Sequence, residues 1–460
     1  MQWRARGNVV LQCLRARHFN RSLSEAEALI LNDASAQQRE WVNPVHAHAF
    51  QVYQNRDIAC AAGAFRLPSA GIIAEVSPQR SLRSRVFGTN ARSAEDYART
   101  EKKRMSELEV AVFSCQNYMA DNVSRMFQEQ CGKGVHMCDL KLDDRTALIA
   151  KDCEAINIFV NDECGRDTIE VLADCGVKLI TLRCAGYNNV DVDAAAEHGM
   201  LVARVPTYAP ESIAEHAAAL LLSLSRKIHL TYARTRMGNF ALSGLLGFQI
   251  HGKTVGVNGT GNIGLAAIRI FKGFGARVVA CDPFPRHDKA AEIGFEYMDF
   301  DDVLAHSDIL SLHCPLVEST QHLINDASIA KMKPGMIIIN TSRGGLVETD
   351  ALIKGMRDFR VGAYGTDVYE NEEKIFFKDM TQFEPKHQLP HWDRAFNELM
   401  SLPNVLVTPH QAFLTEEALT NIGETTMFNL HEYCSGKESL TNACVPSEGI
   451  EFGSKLRARR

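Results

Sequence analysis

The chain has 460 residues and a mass of 51.0 kDa, too long for one ordinary core and enough for two or three domains. Hydrophobic residues at 45% and charged residues at 23% are average globular values, which exclude a wholly disordered chain, a collagen-like fibre and a disulfide-stapled miniprotein. The net charge of −6 gives no reason to expect a nucleic-acid partner, yet it hides a split: residues 1–106 hold 16 Lys+Arg against 9 Asp+Glu, and the remainder 34 against 47.

The basic leader comes first. Arg4, Arg6, Arg15, Arg17 and Arg21 precede any acid, and residues 41–94 hold six arginines, no lysine, and only Asp57 and Glu75 as acids. Arg-rich, Ser-rich and acid-poor describes a transit peptide, so an organelle interior (chloroplast stroma or mitochondrial matrix) is the expected address, with the cytoplasm as alternative. The leader is expected to be mostly disordered, with its junction in EKKRMSEL (101–108). The 13 cysteines form no C-x-x-C pair and no Cys/His cluster of zinc spacing, so no metal is expected. Most, like Cys153, Cys281 and Cys314, flank apolar residues as buried free thiols do, which points to a reducing compartment. No uncharged apolar run reaches the roughly 18 residues that span a bilayer, and no membrane partner is expected.

From Val110 short β-branched runs alternate with stretches of helical spacing. VAVFS (110–114), INIFV (156–160), VKLITL (177–182) and LVARV (201–205) read as strands, and the stretches between them as helices. That alternation predicts a parallel α/β sheet. A long helix from about Glu211 to His229, opened by Pro210, should bridge to a second lobe. There TVGVN (254–258), RVVAC (277–281), DILSLHC (308–314), MIIIN (336–340), VGAYGTDV (361–368) and NVLVTPH (404–410) are near-continuous apolar strands of the kind buried on both faces. A last helix, Glu416 to Cys434, is expected to return to the first lobe. The fold expected is therefore two doubly wound, Rossmann-like parallel-sheet domains with a cleft between them. Their bounds are 108–207 with 411–447, and 208–410, flanked by the extension 1–107 and a basic tail 448–460.

Gly259-Thr260-Gly261-Asn262-Ile263-Gly264 follows a predicted strand and opens a predicted helix, the context a dinucleotide fingerprint requires. Gly259 permits the tight turn, Gly261 lets a pyrophosphate approach the backbone, and Gly264 lets helix and strand pack closely. The helix N-terminus offers free N–H groups to the phosphates. Asp282 ends the next strand, 18 residues beyond Gly264. A carboxylate there binds adenosine ribose hydroxyls and repels a 2′-phosphate, which favours NAD over NADP; Arg286 lies nearby.

Hydride transfer to a 2-keto acid needs a cation for the carboxylate and a proton donor for the carbonyl oxygen. Arg343 in NTSRGG follows one strand, and a guanidinium grips a planar carboxylate with two prongs. His410 closes VLVTPH, and Glu372 in DVYENE follows another strand end. A carboxylate beside His410 would fix its tautomer and favour the protonated general acid.

These residues carry a resemblance. LRCAGYNNVD (182–191), RVPTYAPESIAEHA (204–217), GKTVGVNGTGNIG (252–264), SLHCPL (311–316), NTSRGG (340–345), DVYENE (367–372) and TPHQAFLTEEAL (408–419) resemble the D-isomer-specific 2-hydroxyacid dehydrogenases. Within that family they look most like the fermentative D-lactate branch. The resemblance, from about residue 108 to 447, implies that Arg343, Glu372 and His410 are catalytic and that Ala185 and Gly186 offer N–H groups to the substrate carboxylate. It implies that Tyr208 and Phe413 limit substrate size, and that Asn262, Ile263, Cys314, Pro315, Thr341, Ser342, Arg343 and Asp367 contact NAD. It also implies a homodimer or homotetramer and a small 2-keto or 2-hydroxy acid as substrate. Pyruvate is the substrate expected. Glyoxylate, hydroxypyruvate or an NAD-sensing, corepressor-like binding role are the alternatives. His216 and His313 read as structural, and Cys184 receives no chemistry. The long aromatic segment from Lys374 to Asn397 is expected to cover the cleft; its Phe376 and Phe377 resemble the D-lactate branch, and His387 and His391 receive no role.

Overall fold

The computed structural model describes residues 102–453 except 117, 118, 120–122, 380, 382–392, 438, 448, 449 and 451. All of these belong to one compact unit, Thr89–Arg460. The leader up to residue 101, His387, His391 and the end of the basic tail lie outside the described residues.

Short β-branched runs buried on both faces give the first sheet. Its strands are β1 (Val110–Val112), β2 (Val135–Met137), β3 (Ala155–Ile158), β4 (Leu179–Leu182) and β5 (Leu201–Ala203). All pair in parallel in the order β2-β1-β3-β4-β5. The edge strand β2 is absent from the expected set. It is only three residues long, with His136 exposed at its centre, so it shows no apolar run. Two residues assigned to the leader are packed into this lobe: Met105 is buried in its core, and Arg104 donates from Nη1 to the Cys434 carbonyl at 3.2 Å.

The chain then crosses through α1 (Pro210–Arg226), whose Ile213, Ala214, Ala217, Leu220, Leu221 and Leu224 make one buried stripe. The expected run to His229 is broken. Lys227 takes a left-handed conformation (φ 54°), and a separate helix α2 (Ile228–Arg236) follows. The carbonyl of Ser225, released by the break, accepts the Phe248 amide at 3.1 Å as the chain folds back.

The second sheet has seven parallel strands in the order β12-β11-β10-β9-β6-β7-β8. Its strands are β6 (Thr254–Asn258), β7 (Arg277–Cys281), β8 (Glu296–Tyr297), β9 (Ile309–Leu312), β10 (Met336–Asn340), β11 (Val361–Thr366) and β12 (Val405–Val407). The two-residue β8 is too short to signal itself in the sequence. Chain order reverses at β6, between β9 and β7, and the mouth above that switch point is where open α/β sheets bind ligands. Helix α3 (Asn262–Gly273) starts there. The last helix, α4 (Glu416–Cys434), is capped by the Thr415 side chain. It buries Leu419, Ile422, Met427 and Leu430 in the first lobe's core. Beyond it, Ala443 bridges antiparallel to Ala203 and covers the β5 edge.

Cys153 and Cys314 are buried free thiols, whereas Cys281 is half-buried. Among the described residues no cluster of His, Cys, Asp or Glu could hold a metal ion, and no helix is long and apolar enough to cross a membrane.

Candidate active site

Loops leaving the C-terminal ends of both sheets enclose a cavity of about 600 Å³. From the first lobe Ala185, Gly186 and Phe159 line it; from the second Ile263, Cys314, Pro315, Thr341, Ser342, Arg343, Asp367 and His410 do. Tyr208 closes one side and Phe413 another.

Five residues of the fingerprint lie apart from this lining. Gly259 has φ 95°, and a side chain there would run into the backbone of His313 and Cys314; glycine is required on both grounds. Gly261 caps α3 over open space, Asn262 starts that helix, and a Cβ on Gly264 would overlap the Gly259 carbonyl. Asp282 sits at the end of β7, where its carboxylate accepts from the Thr260 amide at 2.6 Å and from the Phe284 amide at 2.8 Å. It is thus a turn former as well as an acid at the expected ribose position. The cradle suits a dinucleotide in a second respect. Among the described residues, Thr341 Oγ1 and His313 Nδ1 are buried polar atoms without a partner, and both residues line the cavity. Such atoms are rare in a folded protein unless a ligand or water completes them. Burial holds the His313 imidazole down to about 4, so it sits there uncharged.

Arg343 is carried by a loop that buried Asn340 ties at both ends, donating to the Arg343 carbonyl at 2.9 Å and accepting from the Ser342 amide at 3.1 Å. A hydrogen bond of 2.5 Å from Ser342 Oγ to the Cys314 carbonyl fastens that loop to its neighbour. Gly186 faces the guanidinium so closely that a Cβ would collide with Arg343 Nη2. Gly186 therefore makes room for the cation, a role distinct from the N–H donation expected of it.

His410 follows β12 with φ 55°, an uncommon conformation for a residue with a side chain. Two carboxylates hold it there. Glu372 Oε1 accepts from His410 Nδ1 at 2.7 Å, while its Oε2 accepts from the Tyr369 amide at 2.9 Å. Since a carboxylate only accepts, Nδ1 carries the proton and Nε2 is left on the far side of the ring. Asp367, buried, accepts from Thr408 Oγ1 at 2.5 Å and from the amides of Gln411 and Ala412 at 2.9 and 2.8 Å. It lines the cavity, as a cofactor contact would, but its carboxylate is committed to the loop on either side of His410. His216 Nε2 then donates to Thr408 Oγ1 at 2.9 Å, the structural role expected for it.

The structure brings Arg343 and His410 to one cavity with Glu372 directly behind the histidine. Around them lie Phe159, Arg183 and Arg204, which the sequence reading leaves out, and Phe377, which it assigns to the segment expected to cover the cleft. Phe377 packs over His410 with ring centroids 5.8 Å apart and meets Phe159 edge-on at 5.5 Å; Phe159 in turn touches Phe413 at 5.8 Å. Arg204 Nη1 donates to the Ala185 carbonyl at 2.7 Å. Arg183 and Arg204 each stand one residue past an apolar strand, the same signal that marks the residues of the second lobe. Burial raises the Cys184 thiol and the Tyr208 phenol to about 12, so both face the cavity as neutral groups. The part of the 374–397 segment that is described packs Ile375 and Phe376 with Tyr369 and Phe396 into a small core of its own.

Comparison with known proteins agrees with this geometry. Residues 218–412 match the family model "D-isomer specific 2-hydroxyacid dehydrogenase, NAD binding domain". The chain is 46% identical over 330 residues to D-lactate dehydrogenase of Escherichia coli, covering 72% of this chain and 98% of that protein. Among solved structures, the pyruvate reductase of Chlamydomonas reinhardtii superposes with a TM-score of 0.71 at 46% identity, covering 74% of this chain and 99% of that one. D-lactate dehydrogenase with NAD+ from Lactobacillus jensenii gives 0.61 at 32% identity, covering 73% and 99%.

Proposed function

The chain belongs to the D-isomer specific 2-hydroxyacid dehydrogenase family and is an NAD-dependent enzyme; from that premise we propose that it reduces pyruvate to D-lactate. The observation that carries the reading is the 2.7 Å contact of His410 Nδ1 with Glu372, in a cavity whose wall also presents Arg343. NADH, when bound, supplies the hydride. Gly259, Gly261 and the start of α3 would hold its pyrophosphate, Asp282 its adenosine ribose, and the wall of Cys314, Pro315 and Thr341 its nicotinamide end.

Arg343 grips the substrate carboxylate, with the backbone of Ala185 and Gly186 beside it. His410 enters as the imidazolium with its Nδ1–H engaged by Glu372, gives its Nε2 proton to the carbonyl oxygen, and is left as the neutral Nδ1–H tautomer. Tyr208, Phe159 and Phe413 supply aromatic walls beside them, and Phe377 packs against Phe159 and His410. Those walls, with the likeness to a D-lactate dehydrogenase and a pyruvate reductase, support pyruvate as the substrate. The apolar side chains exposed along α2 and the loop after it, Tyr232, Met237, Phe240, Leu242 and Leu246, support a homodimer; sedimentation of the purified protein tests this. The Arg-rich, acid-poor leader supports import into an organelle, tested by fusing residues 1–107 to a fluorescent reporter.

The decisive assay follows NADH oxidation by the full chain with pyruvate, glyoxylate and hydroxypyruvate, in the parent and in His410→Asn. Asparagine tolerates the left-handed backbone at this position but cannot act as the acid. Turnover should be highest with pyruvate and should fall about 10²–10⁴-fold in the variant, with NADH affinity kept. Near-parental turnover of His410→Asn would remove the acid from this scheme, and a higher kcat/KM for glyoxylate or hydroxypyruvate would replace the substrate.

A further inference from the structure

A chain of hydrogen bonds runs away from the cleft behind Asp282, and its directions can all be assigned. Asp282 Oδ2 accepts from the Thr260 amide at 2.6 Å and from Thr260 Oγ1 at 2.9 Å. Because an ionised carboxylate has no proton to give, the Thr260 hydroxyl is the donor. Thr260 Oγ1 must therefore accept from the Tyr297 hydroxyl 2.7 Å away, and Tyr297 in turn accepts from the Arg286 amide at 3.0 Å. Thr260 is wholly buried. The Tyr297 ring is fixed by edge-on packing against Phe295 at 5.1 Å and His287 at 5.5 Å. On its other oxygen, Asp282 accepts from the Phe284 amide at 2.8 Å.

We infer that Thr260 and Tyr297 are positioning residues that lock the Asp282 carboxylate in place and thereby set the enzyme's preference for NAD over NADP. Specificity is a difference between two affinities. An acidic residue after the second strand repels a 2′-phosphate only while it stays where the phosphate must go. A carboxylate free to rotate could swing aside and admit NADP at little cost. Here rotation would break three hydrogen bonds to a charged acceptor. It would also leave a buried hydroxyl, already receiving a proton from Tyr297, with nothing to donate to, and such an unmade bond is expensive. Arg286, four residues along the same turn, is a cation that could receive the phosphate once the carboxylate moved, and its own amide is the first donor of the relay. The discrimination thus rests on a tyrosine and a threonine that need touch neither coenzyme with their hydroxyls.

The test is calorimetric titration of the full chain with NADH and with NADPH separately, so that it reads binding and not turnover. Thr260→Val keeps the shape and the amide–carboxylate bond but deletes the hydroxyl. The ratio of NADPH to NADH dissociation constants should fall by about tenfold, the value of one hydrogen bond to a charged group. Tyr297→Phe should lower the same ratio by about threefold, as the outer link of the relay, and Thr260→Ser should restore the parental ratio. A Thr260→Val protein that binds both coenzymes more weakly by one common factor, or with an unchanged ratio, would overturn the inference. Should Thr260→Val fail to fold, Tyr297→Phe decides alone, and an unchanged ratio there overturns it equally.

Discussion

Arg183 stands at the end of β4 in the first sheet, and Arg343 in the loop after β10 in the second. Both are guanidiniums placed at the C-terminal ends of parallel strands, yet their surroundings differ. Arg183 is 1% exposed and spends its donors on the protein: Nη1 on Asn157 Oδ1 at 2.9 Å and Nη2 on the Ser114 carbonyl at 2.8 Å, with the Phe113 carbonyl beside it. It also lies 5.3 Å over the Phe159 ring. Arg343, among the described residues, donates only from Nη1 to the carbonyl of its neighbour Ser342, at 2.8 Å. The rest of its fork faces the cavity. One lobe turns its strand-end charge inward to tie its own loops together and so builds a wall. The other leaves the charge unspent, which is the condition for binding an anion. Topology alone does not separate the two uses; the local supply of carbonyl acceptors does.

The sharpest way to break this comparison is to remove the inward charge. Asp162, buried near Arg183, has its carboxyl pushed up by burial, with Arg183, Ser114 and two backbone amides opposing that rise. Arg183→Met would keep the bulk but leave the buried Asn157 side chain and the Ser114 carbonyl without their donor, and would remove the positive charge that opposes the rise at Asp162. Leaving a buried acceptor unsatisfied costs about 1–3 kcal/mol. The melting temperature should therefore drop by roughly 10 °C, whereas Arg343→Met, which strands only the carbonyl of its neighbour Ser342, should leave it within a few degrees while abolishing turnover. Equal melting points for the two variants would show that the two arginines are not used differently.

Acid offers a second, somewhat smaller test. His313 is held neutral, at about 4 against an ordinary 6.5. Above pH 6.5 neither folded nor unfolded chain protonates it and it contributes no pH dependence. Between 6.5 and 4 the unfolded chain takes up a proton that the folded one refuses, so stability is lost as pH falls, by about 3 kcal/mol in all. Asp162 has the opposite sign. Its raised folded value means a contribution present at low pH and lost as pH rises through that value. The second lobe should therefore be the acid-sensitive one, and His313→Gln should flatten the fall in melting temperature between pH 6.5 and 4. A parental slope in that variant would mean that His313 is not the group responsible.

The same contrast explains what is legible in the sequence. Strands β6, β7 and β10 have the bounds read from their apolar runs, because the residues inside each run are buried on both faces and nothing polar interrupts them there. The fingerprint, Arg343, Glu372 and His410 stand out because each lies in a polar loop directly after such a run. Arg183 and Arg204 occupy the same kind of position without standing out. Whether a strand-end arginine is spent on carbonyls depends on neighbours far away in sequence, such as Ser114, 69 positions from Arg183. The break at Lys227 is invisible for a related reason. The helical spacing runs on through it, and only the returning chain at Phe248 supplies the competing hydrogen bond. Glu372 and Asp367 look alike as acids after β11, yet one holds the imidazole of His410 and the other the backbone around it. That division depends on how the loop 408–412 curls.

Gly186 provides the finest test, because two explanations of the same glycine predict different couplings. If its amide serves the substrate carboxylate, Gly186→Ala should do modest harm that is independent of the residue at 343. If its missing side chain makes space for the Arg343 guanidinium, as the collision that a methyl group there would make with Nη2 indicates, the damage depends on that guanidinium being there. Gly186→Ala should then raise KM for pyruvate about tenfold, the equivalent of one misplaced charge-assisted bond, with NADH binding unaltered. In an Arg343→Lys background, where the slimmer ammonium lacks the fork, adding Gly186→Ala should cost much less, a coupling of about 1 kcal/mol between the two positions. Strict additivity in that cycle would return Gly186 to the donor role, and with it the first lobe would contribute hydrogen bonds to the substrate as well as a wall.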